Sequence, residues 1–326
     1  MRQIISPIRL GILGSGQHAQ RVILPVLTEL ANKFAISAIS ASSNEKHQLL
    51  SEKLPATKIF DSYSGLLNSG LVDAIYIALP NHLHAEWTTK ALSLKLDVLC
   101  EKPGVITANE AVSTAAAANL QHCYIRDAFM YKFHPQHQFI QSQIKLHQLG
   151  EIKALTASFS YYLDDPMNIR LKADCAGGAL NDVGCYLIDL LHMYDLKPTS
   201  LESSLRIGST GVDLAGQAKI SCLNGATAIL NFGCQTEKSN TYTITCAAGS
   251  ITCHQAFHIP RNKQARISIR SNTEQLVKFC PPANHYRLMF EDFYCTITER
   301  TASFVEPRRI LRAELLEQIR NSSYGA

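Results

Sequence analysis

The feature that most restricts this chain is a short run near its start. Ile8-Arg9-Leu10-Gly11-Ile12-Leu13 reads as a buried strand, Gly14-Ser15-Gly16-Gln17-His18-Ala19 follows at once, and a helix is expected over 19–32. A strand that turns through G-x-G-x-x-A directly into a helix builds a dinucleotide-binding unit. Gly14 makes the tight turn, Gly16 lets a pyrophosphate approach the backbone, and Ala19 permits close packing of helix on strand. A bare glycine motif says little, but this one stands in the context its mechanism requires. Pro25 lies inside the helix and is expected to kink it.

The next strand, Phe34–Ser40, ends in Ala41-Ser42-Ser43-Asn44. An NAD enzyme usually carries an acid here for the ribose 2′-hydroxyl, and this stretch has none. Ser42, Ser43 and Lys46 can hold a 2′-phosphate instead. The usual arginine is also missing, so the lean is to NADP with NAD as second choice. Asn44 is expected to cap a helix over 45–53. Strands follow at Lys58–Phe60 and 74–78, then a turn, Pro80-Asn81-His82-Leu83-His84. His84 either lines the cofactor crevice or orients the loop, and His82 reads as a loop residue.

A helix over 85–95 leads into Asp97-Val98-Leu99-Cys100, an apolar run typical of a central parallel strand. Glu101-Lys102-Pro103-Gly104 stops it, because Pro103 cannot donate to a ladder and disfavours helical geometry at Lys102. Lys102 thus stands at the carboxyl end of a buried strand, where open α/β sheets bind their ligands. Partial desolvation there suits a lysine to proton chemistry, and snorkelling to solvent is the plain alternative. Thr107 and Glu110 form a capping box for an alanine-rich helix to about residue 119. Strands alternating with helices in this way make a doubly wound parallel sheet.

The second half changes character. After a strand over 123–130 and a helix over 136–149 ended by Gly150, strands are expected at Ile152–Tyr162, 201–206, 217–223, 227–234, 242–246, 250–253, 265–270 and 274–279. Asn224-Gly225 marks a tight hairpin. Serial strands predict a predominantly antiparallel open sheet, so the chain divides into a Rossmann domain, 1–126, and an α+β substrate-binding and oligomerisation domain, 127–326. Residues 226–232 place apolar side chains on both faces, which points to a homodimer or higher oligomer formed sheet to sheet.

One helix, expected over 175–191, is apolar almost all round and therefore buried between layers. Asp182, Tyr186 and Asp189 share a face of it, and acids in such a helix need partners. Gly177-Gly178 lets the backbone approach a ligand or a neighbouring strand closely. Tyr186 reads equally as a functional hydroxyl or as a core aromatic.

Composition narrows the class. With 46% hydrophobic and 18% charged residues and a net charge of +4, the chain is an ordinary globular protein. Basic clusters at 261–270 and 308–312 lack the density of a nucleic-acid surface and read as solvated faces. No apolar run reaches the ~20 residues that span a bilayer, and no leader precedes the first strand, so a cytoplasmic protein is expected. The ten cysteines contain no CxxC pair, which argues for reduced, buried thiols and against a metal site.

Five segments together resemble the glucose–fructose oxidoreductase / inositol dehydrogenase (Gfo/Idh/MocA) family. They are Gly14–Ala19, Pro80–Trp87, Cys100–Pro103, Asp127–Gln136 and Gly177–Tyr186, and the resemblance covers nearly the whole chain. It implies an NAD(P)-dependent oxidoreductase that moves a hydride between nicotinamide and a sugar, polyol or diol. Lys102 would stand near the nicotinamide, and Tyr186 would donate or accept the proton. The tyrosine is similar to the branch with dihydrodiol and xylose dehydrogenases and ketosugar reductases; the inositol dehydrogenase branch carries histidine there. The resemblance implies cofactor contacts at Gly14, Ser15, Gly16, Gln17, His18, Ala19, Ser42, Ser43, Lys46, Leu79, Pro80, His84, Glu101 and Lys102. Substrate contacts fall on Lys102, Arg170, Asp182 and Tyr186, with His134 a weaker candidate. Asp182 would fix a sugar hydroxyl or hold Lys102. Asp127, Lys132, Ser43 and Gly104 stand where the family usually has glutamate, arginine, arginine and leucine. The alternatives are a nucleotide-linked 3-ketosugar reductase and a non-enzymatic dinucleotide-binding regulator on the same fold.

Overall fold

The structure is a computed structural model that describes residues 7–145, 149–271 and 274–322. The chain forms two compact units. One holds the described residues up to Ala128 together with Tyr286–Ile310; the other holds Phe129–His285 and the described residues from Leu311 onward. A single boundary after residue 126 therefore misplaces 286–310, which return to the first unit.

In the first unit, six strands lie parallel in the order β3-β2-β1-β4-β5-β6: β1 Ile8–Leu13, β2 Phe34–Ser40, β3 Lys58–Phe60, β4 Ala74–Ile77, β5 Asp97–Cys100 and β6 Ile125–Asp127. Strand order reverses between β1 and β4, which creates the crevice of a doubly wound sheet. β4 and β5 are buried at every position, because helices cover both faces. The kink expected at Pro25 is a π turn, Ala19–Ile23, that hands over to α1, Leu24–Glu29. Pro25 has no N–H for the ladder, so the helix widens just before it. α2, Asn44–Lys53, is capped by Ser43 rather than Asn44, its hydroxyl accepting from the Lys46 N–H. α3, Tyr63–Leu67, was not anticipated; α4 spans His84–Ser93, and α5, Ala108–Gln121, opens with the expected Thr107–Glu110 capping box. The strand expected over 123–130 shortens to β6, and Met130–Phe133 form a 3₁₀ turn.

In the second unit α6, Pro135–Lys145, is followed by β7, Ile152–Tyr162; of the helix expected to residue 149, 146–148 lie outside the described residues and Leu149 is in a turn. A π turn, Leu180–Gly184, and α7, Cys185–Met193, precede β8 Pro198–Ile207, β9 Asp213–Cys222, β10 Thr227–Gly233, β11 Gln235–Cys246, β12 Gly249–Cys253, β13 Ala265–Ser271 and β14 Gln275–Cys280. The sheet runs β14-β13-β12-β11-β7-β10-β9-β8 and is antiparallel except where β7 and β10 lie parallel at its centre. Ile251, Ile244, Leu155, Ala228 and Ile220 form one register row and all are buried. The next row, on the opposite face, is Thr252, Thr243, Thr156, Ile229 and Lys219. Over 226–232 only Ile229 is apolar on that second face.

Two helices near the end, α8 His285–Glu299 and α9 Arg309–Ser322, were not anticipated either. Within the first unit Phe290 and Tyr294 of α8 pack edge-on against Phe34, and Val305 bridges to Ile125 on the sheet edge. Among the described residues no helix is long and apolar enough to cross a membrane. All ten thiols are free; eight are buried, while Cys175 is half-buried and Cys295 exposed.

Candidate functional site

In the first unit the candidate groups gather at the carboxyl ends of the strands. Gly14 adopts a left-handed φ of 96°, and a Cβ there would collide with the Ala78 carbonyl, so only glycine fits. Its N–H donates to Ser40 Oγ at 2.8 Å, which ties the loop to the end of β2. Gly16 is exposed, with nothing within 4 Å of where a Cβ would stand. That open space, backed by Ala19 buried against the sheet, fits the pyrophosphate of a dinucleotide. Gln17 is exposed, and the buried Ser15 carbonyl accepts from Gln20 Nε2.

Ser42, Ser43 and Lys46 come together at the first turn of α2. Lys46 Nζ donates to Ser42 Oγ at 3.4 Å, and the Lys46 N–H to Ser43 Oγ at 3.3 Å. A cation and a helix N-terminus on one exposed corner suit an anion.

Glu101 and Lys102 follow β5, both half-buried. Glu101 Oε1 lies 3.3 Å from His18 Nε2 and accepts the Tyr76 hydroxyl. Burial alone would raise this carboxyl, but His18, Tyr76 and Lys102 hold it down at about 2. His18 also leans on Tyr286 of α8, ring centroids 5.5 Å apart. His84 orients the loop: its ring nitrogens meet the carbonyls of Leu79 at 2.8 Å and Pro103 at 2.7 Å, fully buried. Burial lowers its pKa, against the pull of those two carbonyls. Leu79 is buried and Pro80 half-buried beside it.

The second unit carries the other candidates. Tyr186 sits near the start of α7 with its ring among Phe129, Tyr131, Phe159 and Phe257, and its hydroxyl meets Met130 Sδ at 3.5 Å. Asp182, in the π turn, accepts the Tyr161 hydroxyl at 2.5 Å and pairs with Arg170 Nε at 3.0 Å. Asp182 raises the Arg170 pKa, and Tyr161 and Tyr186 add to that effect. Burial and the same carboxylate raise Tyr161 as well. Arg170, Asp182 and Tyr186 are thus brought together, and Tyr161 joins them without having been anticipated. Counting alternately inward from the buried Leu155 through Ala157 and Phe159 would have found Tyr161 on the same face.

Asp189, expected to need a partner, has two: Tyr131 at 2.8 Å and Arg312 at 2.8 Å. The helix expected from residue 175 starts only at Leu180. Gly178 takes φ 100°, and a Cβ on Gly177 would collide with the Arg170 carbonyl, so this glycine pair serves the chain's own packing. Asp213 caps the π turn by accepting from the Leu180 N–H at 2.6 Å. His134 is fully buried, its Nδ1 accepting from the Gln136 N–H at 3.3 Å. The basic stretch 308–312 is no solvated face, since Arg309 and Arg312 are buried against Asp127 and Asp189.

Residues 8–129 match the oxidoreductase family with an NAD-binding Rossmann fold, and 137–252 match the GFO/IDH/MocA C-terminal domain. The chain belongs to the Gfo/Idh/MocA family of oxidoreductases. It is 27% identical over 285 residues to D-xylose 1-dehydrogenase (NADP(+)) 2 of Haloferax volcanii, covering 87% of each chain. It is 31% identical over 278 residues to a dTDP-3,4-didehydro-2,6-dideoxy-alpha-D-glucose 3-reductase of Actinomadura kijaniata, covering 83% of this chain and 82% of that one. Among solved structures it is similar to KijD10, a 3-ketoreductase from Actinomadura kijaniata in complex with NADP and TDP-benzene. The TM-score is 0.90 at 27% identity, over 97% of this chain and 98% of that one.

Proposed function

We propose that the protein is an NADP-preferring oxidoreductase of a sugar or polyol in which Tyr186 carries the proton and Lys102 polarises the same oxygen. The observation that supports this most is the company Tyr186 keeps: a buried aromatic cage, with Arg170, Asp182 and Tyr161 beside it. A bound nicotinamide supplies or accepts the hydride. A tyrosine hydroxyl with its ordinary pKa of ~10 is a poor base at neutral pH unless a cation favours the phenolate. On this reading Lys102 would provide that charge, and Arg170, whose own pKa responds to Tyr186, would add to it. Asp182 holds Arg170 and Tyr161 in place, so those two side chains, and not the carboxylate, read the substrate's hydroxyls. Ser42, Ser43 and Lys46 would hold the 2′-phosphate.

A nucleotide-linked 3-ketosugar is the second reading. Tyr162, Met167 and Ile169 are exposed close in sequence to Arg170, and apolar surface near a cation suits a base and its diphosphate. KijD10, bound to TDP-benzene and NADP, supports that choice. Retention of both Lys102 and Tyr186 favours an enzyme over a regulator.

Sugars, polyols and ketosugars assayed by NADPH absorbance identify the substrate. Tyr186→Phe should then lower turnover by ~10²–10⁴-fold with NADPH affinity unchanged. Lys102→Met should cost a similar factor and the double variant little more, because the two groups act as a unit. A Tyr186→Phe enzyme that keeps most of its activity makes this tyrosine a core aromatic.

A further inference from the structure

The turn that carries Lys102 is held from a residue more than two hundred positions away. β5 and β6 are parallel neighbours with Cys100 opposite Asp127, so the end of β6 faces the start of the Glu101–Gly104 turn. The Asp127 carboxylate packs directly on Gly104, where any Cβ would overlap it. Arg309, at the start of α9, then closes the arrangement with one guanidinium. Its Nε donates to Asp127 Oδ1 at 2.9 Å, Nη1 to Thr114 Oγ1 on α5 at 2.6 Å, and Nη2 to the Gly104 carbonyl at 3.4 Å. The two charged side chains are 0% and 4% exposed.

Such a pair is a poor choice for stability alone, since apolar residues of similar volume usually serve as well or better. Its fork geometry does something apolar packing cannot: it fixes β6, α5 and the turn backbone through three donors at once. His84 fixes the same turn one residue earlier, at the Pro103 carbonyl. The two residues after Lys102 are therefore pinned, which orients the lysine's backbone.

We propose that Arg309, through Asp127 and Gly104, is a positioning residue that sets where Lys102 presents its ammonium group. This rests on the role given to Lys102 above. Misplacement of a reacting group by about 1 Å can cost ~10²-fold. Arg309→Lys keeps the charge but loses the fork.

The decisive experiment pairs a double-variant cycle with a measurement on the cofactor-free protein. Arg309→Lys should lower kcat about ten- to a hundredfold with KM for NADPH unchanged, and add nothing in a Lys102→Met background. A merely structural arginine would instead lower both backgrounds by the same factor. In the cofactor-free protein, acetylation of Lys102 by acetic anhydride, read by peptide mass spectrometry, should change in rate severalfold, while Lys153 reacts as before. Thr114→Val removes one bond without burying a lone charge and should shift both readouts in the same sense, less strongly. Wild-type kcat and wild-type Lys102 acetylation in Arg309→Lys overturn the proposal, as does a multiplicative loss with Lys102→Met. If Lys102→Met itself is fully active, the catalytic reading of Lys102 fails, and the acetylation rates alone decide whether Arg309 positions it.

Discussion

Each unit of this chain holds an arginine–aspartate pair beside a candidate functional residue, and the two pairs are built to opposite ends. Arg309–Asp127 is sealed from water, with both side chains spent on backbone and neighbours. Arg170–Asp182 buries only its carboxylate: Asp182 is 10% exposed and Arg170 44%. In the first pair the arginine is locked by three partners, so it can hold but cannot read. In the second the carboxylate is the lock, and the arginine keeps a solvent-facing edge. Burial, and not residue type, separates an arginine that can only hold from one that keeps an edge open to solvent.

Removing one side of each pair should have the largest effect. Arg309→Met leaves Asp127 buried without its counter-charge, and breaking such a pair costs ~3–5 kcal/mol. Arg170→Met also leaves a buried carboxylate, but Tyr161 still donates to Asp182 and water reaches the space the half-exposed arginine leaves, so the loss should be smaller, about 1–2 kcal/mol. Urea unfolding of both variants measures the difference, and equal losses would abolish the distinction.

How far the sequence revealed these features depended on whether the signal was local. β2 and β7 were read to the residue, because alternation and apolar runs are printed in the chain itself. The glycine turn, the capping box at Thr107 and the position of Lys102 were legible for the same reason. Arg309 and Arg312 were misread as solvated, because their partners Asp127 and Asp189 lie more than a hundred residues away and charge alone does not announce burial. The return of 286–310 to the first unit was hidden likewise: Phe290 and Tyr294 find Phe34 only in three dimensions. The start of the buried helix was missed because Gly177 and Gly178 take up a packing constraint that the apolar pattern does not encode.

Acid should separate the units next. In the second unit burial pushes His134 down to about 4, and His137 and His285 to about 3. An unfolded chain regains the ordinary histidine pKa of ~6.5. The unfolded state therefore binds more protons below that value, and stability is lost as pH falls from ~6.5 toward 3–4, at up to ~1.4 kcal/mol per pH unit for each histidine. In the first unit burial lowers His84 as well, one buried histidine against the three above, and Glu101, held at about 2, contributes stability that disappears only as pH falls below ~4.5. Hydrogen exchange at pH 7 and 5.5 should show β11 losing protection before β1. Parallel loss would mean that the buried histidines are not what distinguishes the units.

Recognition by Arg170 is expected to be a matter of KM. Arg170→Lys keeps the charge but loses the planar fork, so KM for the sugar substrate should rise about tenfold with kcat and NADPH affinity nearly unchanged. A fall in kcat with KM constant would move Arg170 from reading the substrate to assisting Tyr186.

Ser43 is a helix cap at a position proposed to read the cofactor, both in one small side chain. Its hydroxyl caps α2 by accepting from the Lys46 N–H, and it also stands on the corner proposed for the 2′-phosphate. Ser43→Ala removes both functions and should cost ~1 kcal/mol of stability. Ser43→Asp separates them. Aspartate caps a helix as well as serine does, and its charge favours the N-terminal dipole, so stability should hold. The same carboxylate repels a 2′-phosphate yet accepts from a 2′-hydroxyl, the role an acid plays in NAD enzymes. Calorimetric titration should therefore show NADP binding severalfold weaker and NAD binding tighter, with an unchanged melting temperature. If NADP affinity survives the substitution, the phosphate is held elsewhere and Ser43 is a cap alone.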